Sequence, residues 1–330
     1  MKKYDSPVPR FVSLLDAIII LSALFYTSSA VACPIPVFQY ALEHWEPDPY
    51  DLIIHHGDQG FSEEQQAALD RLQSAERGEK KSNLLVMMRH HSLKSAPSPS
   101  GTQETLPRLE MRYPIRSGIR GSLWSGELTL EAVEQLLDSP VRRQIAAHLL
   151  RRKAAVWVFL ESGDRRKDEQ AMQTLEKELA RLEKTLQVPD PTEEWGLDAG
   201  DIHTEIDFAI VRMSRRDPDE QLLLLMLTGI ERDLKDHADK PIVFPIYGKG
   251  LVMYALVGDG INAWTLNDAG EFLTGSCSCL VKAGNPGTDL LLTMDWDAHV
   301  MPLSRIGLPG PASTAGFLDR MEEAERQLAE

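Results

Sequence analysis

Cysteine is scarce in this chain, three residues in 330, too few for a fold stapled by disulfides. Basic side chains are outnumbered, 35 Lys and Arg against 50 Asp and Glu, for a formal charge of −15. Phosphate neutralisation needs clustered Lys and Arg, so general nucleic-acid binding is excluded. No Walker loop, G-x-S-x-G elbow, H-E-x-x-H or G-x-G-x-x-G motif is present. The pairs Gly248/Gly250 and Gly258/Gly260 read as hairpin turns rather than phosphate cradles. What is present is ordinary: 43% hydrophobic and 26% charged residues, the composition of a globular protein and not of a disordered, collagen-like or many-span membrane chain.

The N-terminus departs from that pattern. Lys2, Lys3 and Arg10 precede an apolar run over 17–26 (AIIILSALFY), then TSSAVA and Cys33. This is the basic, apolar, small-residue order of a secretory signal. The run is about half the roughly 20 residues that span a bilayer, and Asp16 makes its extension backwards costly. Residues 1–32 are therefore expected to be a signal peptide, with a membrane anchor as second choice. Ala30-Val31-Ala32 has the A-x-A cleavage form, and with Cys33 it resembles the bacterial lipoprotein box. Cys33 is thus a lipidation candidate, although Ala30 stands where that box usually has Leu. The expectations are export to the periplasm or cell envelope, membrane contact through the N-terminus, and an envelope protein partner without nucleic acid. Removing 1–32 leaves 298 residues with 32 basic and 48 acidic side chains, −16. That length is about twice a usual domain.

The remainder reads as two similar passes. In the first, an apolar run at 50–54 ends at His55-His56-Gly57, Ser62 and Gln65 form a capping box for a helix, and NLLVMM at 83–88 is a second strand. Pro107 opens a third strand and 121–124 supplies a fourth. Thr129, then Ser139-Pro140, start two helices. In the second pass AAVWVFL at 154–160 is a buried strand ending at Glu161-Ser162-Gly163-Asp164, and Met172, Leu175, Leu179, Leu182 and Leu186 stripe one helix face. A strand at 207–213, a helix at 220–234, and a hairpin of 242–247 and 251–257 across Gly248-Lys249-Gly250 follow. Pro245 cannot donate to a ladder, which predicts an edge or a bulge. Asn267 is expected to cap the next helix.

This order is α/β with mixed sheets, and it resembles the thioredoxin-like fold twice over. The expectation is a signal or anchor helix at 1–32, tandem thioredoxin-like domains at 33–152 and 153–304, and a linker with a C-terminal helix at 305–330. Pro107, and Pro241 or Pro245, stand where the thioredoxin-like fold commonly has a cis proline. A thioredoxin-type redox centre would place C-x-x-C after the first strand. Here that place holds His55-His56-Gly57-Asp58 in one pass and Glu161-Ser162-Gly163-Asp164 in the other. The segments CPIPVFQYALEHW, LWSGELT with LLDSPVRR, VWVFLESGD and GSCSCLVKAGNPGTDLLL are similar to an uncharacterised family of exported bacterial proteins of planctomycete type. The resemblance implies compartment and the unity of the two halves, and no activity.

Three groups of residues carry candidate chemistry. Cys277-Ser278-Cys279 can close a strained disulfide or present two thiolates to Cu(I) or Zn²⁺; a structural bond to each other or to Cys33 is the plainer reading. If Cys33 is not acylated, one of three cysteines is left over, which favours a bond between Cys277 and Cys279. His55-His56 and His90-His91 end two neighbouring strands, at the edge where α/β sheets bind ligands. Alternation lets one histidine of each pair face a shared site, so His55 and His90, with Asp58 beside them, are weak metal candidates. Asp295, Asp297 and His299 read as a solvated acidic turn. No cofactor is expected. The reading is a redox-inactive binding or assembly protein; the alternative is a thiol-disulfide oxidoreductase or copper-handling protein using Cys277 and Cys279.

Overall fold

In a computed structural model, which describes residues 33–78, 81–91, 106–189, 205–277 and 282–300, the chain from Cys33 onward holds together as one unit. It begins with strand β1 (Cys33–Pro36) and helix α1 (Val37–His44). β2 (Tyr50–His56), α2 (Glu63–Arg77), β3 (Leu84–His90), β4 (Arg108–Arg112), β5 (Trp124–Glu127), α3 (Leu130–Leu137) and α4 (Pro140–Leu150) complete the first half. Ser62 and Gln65 form the anticipated capping box on α2, and Thr129 and Ser139 cap α3 and α4. β2 pairs parallel with β3 and antiparallel with β4, and β4 pairs antiparallel with β5. The sheet order is therefore β3-β2-β4-β5. The Leu106-Pro107 peptide is cis, the single such bond among the described residues, so neither Pro241 nor Pro245 shares that state.

The second half repeats the arrangement. β6 (Ala155–Leu160), α5 (Arg165–Thr185), β7 (Phe208–Met213), α6 (Gln221–Thr228), β8 (Ile242–Tyr247), β9 (Leu251–Val252), β10 (Leu256–Val257), α7 (Ala263–Thr274), β11 (Ser276–Cys277), β12 (Thr288–Asp289) and α8 (Trp296–His299) follow in order. β6 is parallel to β7 and antiparallel to β8, and the order is β12-β9-β8-β6-β7. α7 is capped by Asn262, whose side chain accepts from the Trp264 and Thr265 amides, and not by Asn267, which lies inside the helix. The helix expected over 220–234 stops at Thr228, before Gly229.

Pro245 is interior rather than at an edge, and the bulge is on its neighbour. β8 is flanked on one side by β6 and on the other by β9 near Tyr247 and β10 near Val243. The Pro245 carbonyl accepts from the Met253 amide on that second side. Carbonyl and N–H of one strand residue point the same way, so the N–H that proline lacks would aim where the neighbour is interrupted.

β6 shows how the layers are built. All six of its residues are buried, as in a strand covered on both faces. Val156, Val158 and Leu160 enter one core, while Ala155, Trp157 and Phe159 enter another with α5 and α7. The first core is shared: Leu52, Ile54, Leu109 and Met111 of the first sheet and Ile242, Phe244 and Ile246 of the second belong to one cluster, together with α2, α3, α4 and α6.

The boundary expected at 152/153 separates the two sheets, but the cores disregard it. Val37, Phe38, Ala41 and Trp45, from the first half, pack in the second half's outer core. Gly248, at φ +59°, leaves 2.8 Å between a notional Cβ and Ala41 Cβ, so this hairpin turn requires glycine for the close approach of α1. In return, Leu290–Leu292, Met294 and Trp296 join the shared core, and Asn83 binds that segment through its amide to the Leu290 carbonyl and its oxygen to the Leu292 amide, each at 3.0 Å.

A buried polar corner joins the halves. Glu220, fully buried, accepts from Ser139 Oγ at 2.6 Å and the Val141 amide at 2.7 Å. The same Ser139 Oγ accepts from Arg142 Nε at 3.0 Å, and Arg142 donates onward to the Leu136 and Gln135 carbonyls, both at 2.8 Å. Burial pushes the Glu220 carboxyl up, against the hydrogen bonds from Ser139 and Val141.

Two outcomes follow from this construction. Glu220→Ala strands two buried donors and should cost about 3 kcal/mol in denaturant unfolding; a loss below 1 kcal/mol would count against the corner. The fragment 33–152, deprived of the 290–296 segment and of the core that receives α1, should show no cooperative thermal transition by circular dichroism.

Candidate functional site: a histidine and carboxylate relay on the open sheet face

Among the described residues, one face of the first sheet is covered by the shared core and the other is open. Along β4, Leu109 and Met111 point into the shared core, while Arg108, Glu110 and Arg112 alternate onto the other side. Register places Ile53 opposite Glu110 and His55 opposite Arg108. His55 and Glu110 thus lie on the same open face, two residues apart along the strands, and both are buried.

Four side chains form a line there. Arg112 Nε donates to Glu110 Oε1 at 2.7 Å; Glu110 Oε2 lies 2.8 Å from His55 Nε2; His55 Nδ1 lies 2.7 Å from His91 Nε2. One proton assignment satisfies every contact. The carboxylate accepts the His55 Nε2 proton, which leaves His55 Nδ1 to accept from His91 Nε2–H, and His91 Nδ1 keeps the lone pair at the outer end. Burial pulls the His55 pKa down, only partly offset by the Glu110 hydrogen bond. Burial pushes Glu110 up, but hydrogen bonds from Arg112 and His55 and their charges outweigh it, and its pKa falls below the usual value. A neutral imidazole beside an ionised carboxylate is the arrangement that orients a base.

The histidines do not pair as anticipated. In the parallel register His56 stands opposite His90 and His55 opposite Arg89, so His55 meets His91, the residue just after the strand, and His56 meets His90. The ring centroids are 5.0 and 5.1 Å apart. His90 Nε2 reaches Asp58 Oδ1 at 2.9 Å, on the other side of the sheet from His55. The candidate pair His55 and His90 is therefore divided between two faces. Among the described residues no group of three His, Cys, Asp or Glu side chains is placed to hold a metal ion. Glu110 is not singled out by motif reading, and His91 is named there only as half of the His90-His91 pair, with His90 preferred; the alternation Arg108-Leu109-Glu110-Met111-Arg112 is the signal that marks the polar face.

The equivalent strand end in the second half is closed by a structural carboxylate. Buried Asp168 accepts from the Ser162 amide and hydroxyl, both at 2.8 Å, and from the Gly163 amide at 3.1 Å. Asp164 caps α5 through the Arg166 and Lys167 amides. The 275–292 motif has a similar tying role. Lys282 Nζ reaches Asp289 Oδ2 at 2.5 Å and the Glu46 carbonyl at 2.6 Å, and Asp289 accepts the Asp48 amide at 3.0 Å. Burial pushes the Asp289 carboxyl up, to about 6, against the pull of Lys282. Asp295 accepts from the Ala298 amide as the cap of α8, with Asp297 in the helix's first turn and His299 in its last. Cys277 lies in β11, opposite Cys33 of β1. Cys279, residues 1–32 expected to be a signal or anchor, and residues 305–330 expected to be a linker and helix lie outside the described residues. No described helix is long and apolar enough to cross a membrane.

The relay makes a titration prediction. His55 and Glu110 both have folded pKa values below their ordinary ones, so the unfolded chain binds more protons. Their stabilisation is present above about 6.5 and 4.3 respectively and is lost on acidification. By NMR, His55 should titrate below about 6.5 as the Nε2–H tautomer. Glu110→Gln should lower its pKa further, because the carboxylate supports the imidazolium; an unchanged value would break the assigned link. Compared with protein-family models and with curated proteins, the chain matches none.

Proposed function

We propose that the chain is an exported, envelope-associated binding or assembly protein built on two thioredoxin-like halves that carry no dithiol centre. The carrying observation is what fills the end of each first strand. In the first half it is the Glu110, His55 and His91 relay, and in the second the Asp168-bound turn at Ser162 and Gly163. A redox member of such a fold needs a low-pKa thiol at the start of the following helix; α2 and α5 start instead from Ser62 and Asp164.

Support for the thioredoxin-like reading comes from topology. Numbering strands in chain order within each sheet, the first sheet and the first four strands of the second both run second, first, third, fourth, with one parallel and two antiparallel pairs, and β10 and β12 add two further antiparallel pairs to the second sheet. Support for export comes from the leader-like order of 1–32 and the likeness of several segments to an exported bacterial family of planctomycete type. The open face of the first sheet, with His91 and Arg112 at its surface, is the face we assign to partner contact. It carries polar side chains already held in position by one another.

Incubated with a protein disulfide substrate and a reductant, the purified protein should give no reduction beyond the uncatalysed rate. Turnover that disappears in a Cys277→Ser/Cys279→Ser variant would replace this reading by the thiol-disulfide one. Fractionation should recover the protein with the envelope, its N-terminus at or after Cys33; an intact Met1 in the cytoplasm would remove the export part.

A further inference from the structure

Cys33 and Cys277 stand directly opposite each other in the antiparallel register of β1 and β11. Opposed residues of such a pair have Cα atoms about 4.5–5.5 Å apart. That separation falls inside the roughly 4.4–6.8 Å that a disulfide spans. The register therefore sets Cys33 and Cys277 within reach of each other across the ribbon.

The ribbon itself is poor in hydrogen bonds. Two of the four residues of β1, Pro34 and Pro36, have no N–H to donate, and the pairing shifts between Cys33 and Pro36. Beyond it the Val37 amide donates to the Gly275 carbonyl at 3.1 Å, so the two segments stay side by side as α1 begins. A ladder this thin needs another fastening if the start of the folded chain is to remain in place.

We propose that Cys33 and Cys277 form a disulfide in the exported protein, closing a loop that contains nearly the whole folded chain and leaving Cys279 as the odd thiol. Two thiols lose two protons and two electrons as the S–S bond forms, and a disulfide-carrying oxidant of the envelope is reduced to its dithiol. A sulfur held in this bond is not available for acylation. The inference thus excludes lipid attachment at Cys33, and it rests on the export reading for its oxidising compartment.

The experiment maps the linkage in protein recovered from cells after free thiols are alkylated, by digestion without reductant and fragment sequencing. A second arm reduces the purified full chain and reoxidises it in a glutathione buffer. Expected in both arms is a peptide containing Cys33 joined to the one containing Cys277, separating on reduction, with the alkyl label on Cys279; the Cys279→Ser variant keeps the link. Linkage in buffer but not from cells leaves the pairing standing and refutes export to an oxidising compartment. Acylated Cys33, a bond between Cys277 and Cys279, a bond from Cys33 to Cys279, or alkylated Cys33 in both arms would each overturn the proposal.

Discussion

One apolar layer serves both sheets, and most of the architecture answers to it. α2, α3, α4 and α6 lie with the inner faces of the two sheets in a single buried cluster. Apolar area removed from water by both halves at once is lost by both when either is absent, which is why the crossing segments matter. α1 leaves the first half to cover the outer face of the second sheet, and the stretch ending in Trp296 returns to the shared core. Buried polar groups at the seams then have to find partners. Glu220 with Ser139, Val141 and Arg142, and Asn83 with Leu290 and Leu292, are where they do so.

The same layering decides where chemistry can sit. The second sheet is covered on both faces, and its strands are apolar throughout at β6 and β8. The first, among the described residues, is covered on one, and its other face carries Arg108, Glu110 and Arg112 of β4 beside Asp51, Ile53 and His55 of β2. Held by Arg112 at one end, the Glu110 and His55 pair fixes the hydrogen-bond direction, with His91 donating inward to His55. Electrostatic interactions of nearly buried groups are weakly screened, so the line keeps its polarity at the boundary with solvent. The chain's large negative charge makes this edge, with its histidines and arginines, a local exception.

Much of the fold is legible in the sequence. Capping residues and apolar stripes located α2, α3, α4 and α5, because local hydrogen bonding and 3.6-residue periodicity are written in consecutive residues. The hairpin at 248–250 was legible for the same reason. Asn262 was passed over for Asn267 because both precede apolar positions, and the choice between them depends on where Gly258 and Gly260 end the preceding turn. The relay was half visible. His55 stood out as a strand-end histidine, but its partners come from a register that pairs it with Arg89 and Arg108 and brings His91 and Glu110 alongside.

By itself, then, the sequence determined the elements, the mixed α/β class and the absence of thiols at both strand ends, since each follows from residues near one another in the chain. Which histidine meets which, which segment completes which core, and which cysteine stands opposite Cys33 were decided only by the tertiary structure. Those depend on strand register and on chain crossings between residues more than 200 positions apart, and a one-residue change of register moves every side chain to the opposite face.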